Sequence, residues 1–194
     1  MSATTSLALN SELAEYARQI AELKDQAAAL LRGLGYVQYN WRPAADSWSM
    51  AQCIAHIVLT DEIYIPVLGK CVVDARARGL LGSGPFRHGR LGNWFVRSMD
   101  APAKRRFKNP KQITPREEQT LAAGLANFNV IHDHILLLVK QADGVNLSRA
   151  KFRTPFLKLL KLSLGQGIAV MLAHGRRHLW QASEVRKRPD FPKN

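Results

Sequence analysis

From Ser11 to Leu34, apolar residues recur as Leu13, Tyr16, Ile20, Leu23, Ala27, Leu30 and Leu34. Steps of three and four place them on one face of a helix, and Gly33 and Gly35 mark its end. Tyr39 to Asp46 is a turn-rich connection. Ser49, with Gln52 three residues on, then forms a capping box opening a second apolar helix that reaches about Ala77. Pro66 lies inside it and is expected to kink or break it, because the ring removes a backbone donor and crowds the preceding turn. Gly79 to Ile113 is longer than a structureless loop in a compact domain, so it is expected to be functional or partly helical, with a short helix over Arg90 to Met99. Thr114, Pro115 and Glu117 read as the cap, first-turn proline and capping-box acid of a third helix. That helix runs to about Gln141 along Leu121, Leu125, Phe128, His132, Ile135 and Val139. After a connection from Ala142 to Pro155, a fourth helix is expected from Ser163 to Arg188, stopped by its basic last turn and Pro189.

Four long amphipathic helices, almost no alternating β pattern and no internal repeat predict an all-α fold. It is expected to be a four-helix bundle with long crossover connections. A chain of 194 residues, 46% of them hydrophobic, suits one core and one domain over 1–194. No uninterrupted apolar run approaches the roughly eighteen residues of a membrane span, and Met1 to Asn10 lacks the basic-then-apolar order of a secretory signal. A cytoplasmic protein without a membrane partner is expected. Cys53 and Cys71 are too few for a disulfide framework and are expected to be reduced.

The net charge of +13 raises the case for an anionic partner: nucleic acid, an acidic surface or an acidic small molecule. Much of the excess lies between Arg87 and Lys111, where Arg97, Lys104, Arg105, Arg106 and Lys108 stand near one acid, Asp100. The stretch also holds Pro85, Pro102 and Pro110, and no helix-turn-helix, zinc-finger or RNA-binding signature accompanies it. Nucleic acid is therefore not the expected partner.

Candidate chemistry sits on the apolar stripes. In the fourth helix Leu164, Ile168 and Met171 continue at the same spacing into His174 and His178. Residues four apart on a helix have Cβ atoms about 6 Å apart, so both imidazoles can turn toward one point. In the second helix the stripe Cys53, His56, Leu59 or Thr60, Ile63, Val67 turns His56 inward too. A single histidine on an apolar face is ordinarily a hydrogen-bonded core residue. Two buried neutral imidazoles need several polar partners, and one cation satisfies both. His132 is expected in the core or behind the site, His134 pointing elsewhere, and His88 in solvent. Trp41, Trp48 and Trp180 could line a pocket mouth, although packing explains tryptophans at helix junctions as well.

The segment Trp41 to His56, with Trp48-Ser49 at a helix start, and His174-Gly-Arg-Arg-His178-Leu-Trp-Gln181 in the last helix together resemble the DinB-like superfamily. Both segments stand in the family order, and helix order extends the likeness over nearly the whole chain. The resemblance implies a four-helix bundle in which three histidines, matching His56, His174 and His178, bind nickel or zinc. It also implies thiol-dependent transferase or isomerase chemistry, the activity of characterised members. One departure is Gly175, which stands where many members carry an acid. Three imidazoles leave such an ion an open position, as catalytic sites have. Activation of a low-molecular-weight thiol is the expected function, with metal-dependent hydrolysis by an activated water second. A non-catalytic basic protein binding nucleic acid or another anion is a third alternative. Arg176 or Arg177 could contact a substrate carboxylate or simply lie on a solvated face. A homodimer would suit the apolar residues Ile54 and Val58 beside Leu59.

Overall fold

The computed structural model describes residues 9–102, 110–115, 118–157 and 159–193. The described chain is mostly helical: α1 (Ser11–Leu31), α2 (Tyr36–Asn40), α3 (Met50–Ala77), α4 (Arg90–Ser98), α5 (Leu121–Gln141) and α6 (Leu164–Arg186). A single 3-10 turn spans Lys111–Ile113, and β1 (Lys151–Arg153) pairs antiparallel with β2 (Lys161–Ser163).

The caps account for most boundaries. Asn10 accepts from the Leu13 amide and starts α1, while Ser49–Gln52 and Ser163–Gln166 form reciprocal capping boxes at α3 and α6. Gly33, at φ +76°, turns the chain after α1 through a conformation that costs glycine little. Leu31, not Leu30, completes the buried stripe of α1. The helix α3 runs unbroken through Pro66. Glu62 and Pro66 both lie on its exposed side, where water can take the carbonyl that the proline leaves unpaired.

Three expectations need correction. The third long helix starts at Leu121 with Thr120 as its cap, not at Thr114; Glu117 lies outside the described residues. The preceding segment is held elsewhere: Asn40 Nδ2 donates to the Gln119 carbonyl at 3.0 Å, and the Gln119 amide donates back to Asn40 Oδ1 at 3.2 Å. This pairing with α2 overrides the local cap signal. The connection after α5 carries the β1–β2 pair, whose three-residue strands are too short to show alternation. Ile54 is fully buried and contributes nothing to an outer face; Val58 and Leu59 are half-buried.

Packing joins α3 to α5 and α6, and α1 to α5 and α6. Helix directions follow from the contacts. The Tyr16 hydroxyl lies on the Gly165 carbonyl and Leu23 opposes Gly175, so α1 and α6 run together. His56 meets His174, and Leu68 stands where a Cβ on Gly167 would fall, so α3 runs against α6. Gln119 reaches Ala51 at one end and Arg76 reaches Gln141 at the other, so α3 and α5 are parallel. The long connection between them must therefore carry the chain back along the helix, as a crossover does. Leu13, Ile20, Leu23, Ile57, Leu68, Phe128, Ile135, Ile168 and Leu172 fill the core. Each such side chain contributes about 1.5–3 kcal/mol when fully buried. By length and mean hydropathy of 1.3, α3 and α5 are apolar enough for a membrane span, with 56% and 39% of those windows buried in the fold.

Candidate metal centre

His56 projects from the second turn of α3, and His174 and His178 from adjacent turns of α6. One ring nitrogen from each lies within 4.8 Å of the others. Among the described residues no aspartate, glutamate or cysteine joins the three. The three rings pack at centroid distances of 4.4–5.0 Å.

Hydrogen bonds outside the cluster set the tautomers. His56 Nδ1–H donates to the Ile113 carbonyl at 2.6 Å, which leaves its Nε2 lone pair facing inward. His178 Nδ1–H donates to Gln181 Oε1 at 3.0 Å, with the same result. His174 Nε2 lies 3.2 Å from His56 Nε2, while its Nδ1 is sealed from solvent with no hydrogen-bond partner among the described residues.

All three rings are held neutral. Burial pushes His56 down against the opposing effect of its Ile113 bond. Burial, then His178, His56 and Arg177, press His174 well below the ordinary imidazole value. Burial, His56 and Arg177 bring His178 to about 3. Neutral imidazoles are the form that ligates a metal.

The donor set fits a divalent ion. Two nitrogens bound at about 2.0–2.1 Å with tetrahedral angles stand roughly 3.4 Å apart, close to the 3.2 Å between His56 and His174. Without a cation, either two lone pairs oppose each other there or His174 spends its one proton on His56 and buries a bare Nδ1. A cation removes the opposition of lone pairs and can draw on all three nitrogens, while His174 Nδ1 then carries the ring's proton.

Around the rings, Trp48 lies 4.7 Å from His56 and 5.8 Å from His178 between ring centroids. It lines the cluster, whereas Trp41 packs edge-on against Phe191 and Trp180 is half-buried. Neither arginine of the His-Gly-Arg-Arg-His segment is a solvated surface residue. Arg176 forms a bidentate ion pair with Asp100 at 2.9 and 2.7 Å and donates to Gln19. Arg177 is 7% exposed, and its Nη1 lies 3.4 Å from the Ser98 carbonyl. The basic connection thus touches the centre through Ser98 and Asp100 on α6 and through Ile113 on His56. Lys104, Arg105, Arg106 and Lys108 lie outside the described residues.

The other histidines stay apart. His132 is buried, bonds to the Phe128 carbonyl and stacks on the Phe128 ring at 4.0 Å, with burial bringing it down to about 4. His134 is exposed. His88 is not solvated as expected: it is half-buried between Ser163 Oγ at 2.7 Å and Glu12 Oε1 at 2.9 Å. Gln181 was legible in principle, three residues after His178 on the same face; a backbone carbonyl such as that of Ile113 leaves no trace in sequence.

Three inward histidines on two antiparallel helices of a mostly helical fold form a group that could hold a metal ion. Residues 19–182 match the family model of the DinB superfamily, and the chain belongs to that superfamily. No curated protein and no solved structure matches the chain.

Proposed function

We propose that the protein is a metal-dependent enzyme in which His56, His174 and His178 hold one nickel or zinc ion, and that it activates a low-molecular-weight thiol for S-transfer or isomerisation. We take the four long helices as a four-helix bundle of the DinB type. The convergence of three neutral imidazoles, two with tautomers fixed from outside, carries this reading. Membership in a superfamily often associated with metals supports it.

When bound, the ion would supply a Lewis acid able to deprotonate a coordinating thiol. The chain's own residues prepare the site. Ile113 and Gln181 retain protons on the outer nitrogens of His56 and His178, so that the inner nitrogens stay free to ligate. Trp48 covers the rings and limits water beside them. A thermal-shift screen of metal-loaded protein against small thiols and electrophiles, followed by turnover assays, tests the function. A thiol that stabilises only the metal-loaded form and is required for turnover supports it. Turnover of an ester or amide without any thiol would replace it with hydrolysis.

A further inference from the structure

We propose that the β1–β2 hairpin and the outer face of α4 together dock on the surface of an anionic lipid bilayer. Both elements expose large apolar side chains beside cations. In the hairpin, Phe152 packs edge-on against Tyr64 at 6.4 Å between ring centroids, and Phe156 lies 5.7 Å from the same ring, so one face is fastened to α3. Lys151, Arg153 and Lys161 stand exposed on the other, with Arg153 and Lys161 directly opposite in the pairing. Burial and then the Lys161 charge lower the pKa of the Lys151 ammonium, a repulsion that an anion would relieve. The turn between the strands is held in place: the Thr154 hydroxyl donates to the Leu157 carbonyl at 2.9 Å and accepts from the Leu157 amide at 3.0 Å. That fixed turn nevertheless leaves Leu157 51% and Leu159 95% exposed.

The helix α4 begins beside the base of this hairpin. It packs on β2, His88 bonds to Ser163 at the end of β2, and the Gly89 carbonyl accepts from Gln166. At about 100° per residue, Arg90, Trp94 and Arg97 share one face of α4 with Leu91 at its edge, and the buried Gly92 lies opposite. Leu91 is 67% and Trp94 61% exposed. Arg90 and Arg97 are exposed too, and neither side chain forms an ion pair among the described residues. No acid occurs in the sequence between Asp74 and Asp100, and Asp100 is engaged by Arg176. Leucine and tryptophan enter the boundary between headgroups and acyl chains, while lysine and arginine stay with anionic headgroups. Nucleic acid suits this surface less well, because leucine offers no ring on which a base can stack. Such docking departs from the expected absence of a membrane partner, which concerned spanning segments; surface attachment needs none.

Co-sedimentation of the full chain with lipid vesicles tests the proposal. Vesicles of phosphatidylcholine with about one third phosphatidylglycerol should bind the protein at physiological salt, and phosphatidylcholine alone should not. A basic chain adsorbs to anionic lipid through charge alone, so the deciding variants keep the charge. Leu157→Ser combined with Leu159→Ser, and separately Leu91→Ser combined with Trp94→Ser, should each weaken vesicle binding about tenfold while helicity by circular dichroism is unchanged. Arg90→Gln combined with Lys161→Gln should also cost about tenfold, whereas Arg188→Gln, beyond the far end of α6, should stay within about twofold of the parent. No binding to the anionic vesicles overturns the proposal. So does parent-like binding by both apolar double variants, which would reduce the effect to unspecific charge. If the substitutions instead abolish self-association in sedimentation, or weaken binding of a single-stranded DNA oligonucleotide, and leave vesicle binding intact, the surface belongs to a second copy or to nucleic acid and the proposal fails.

Discussion

His56 and His174 are 118 positions apart in the chain, yet their Nε2 atoms stand 3.2 Å from each other. His56 is anchored by its bond to the Ile113 carbonyl, and His174 Nδ1 is shut off from solvent. His178 is held in turn by its bond to Gln181. Gln181→Leu is expected to lower metal affinity about tenfold, at the mild end of the range for partners that orient ligands. Competition against a chromophoric chelator measures this. Unchanged affinity would show that packing alone orients His178.

Asp61 is fully buried in α3, and neither carboxylate oxygen has a hydrogen-bond partner among the described residues. Burial raises its pKa well above the usual carboxylate range. The folded state therefore retains a proton that the unfolded chain releases, and stability falls as pH rises from about 3.9 toward the folded value. Asp61→Asn removes that slope. It should be more stable than the parent by about 1–3 kcal/mol at pH 8, with the gain shrinking toward pH 4. Chemical denaturation across that range provides the test, and a variant less stable at pH 8 would reveal a partner for the carboxylate.

Glu12 has the opposite sign. Burial pushes its pKa up, but bonds from His88 and the Tyr16 hydroxyl outweigh this and hold it below the usual value. Its contribution is present above the unfolded carboxyl value and is lost as pH falls through the folded one. Glu12→Gln is expected to cost about 1–2 kcal/mol at pH 7 and to become nearly neutral at acid pH. A cost that does not vary with pH would mean that shape, not charge, holds His88.

What the sequence disclosed was local. His174 and His178 fall four apart on one stripe, and the Ser49–Gln52 box marks its helix, because helical period and capping act within a few residues. His88 was misjudged because its partners, Glu12 and Ser163, are 76 and 75 positions away. The start of α5 was missed for the same reason, since the Asn40–Gln119 pairing decides it. Asp61 was hidden by an α3 apolar on several sides. The expected inward stripe through Ile63 and Val67 is only half-buried, while Asp61 and Tyr64 occupy the core.

Metal content tests the central claim most directly. Protein purified without chelator and analysed by mass spectrometry of the elements should hold about one nickel or zinc per chain. His56→Ala, His174→Ala and His178→Ala should each reduce this well below one while remaining helical by circular dichroism. A metal-free parent that takes up neither ion on dialysis, or a His174→Ala variant with unchanged content, would contradict the account.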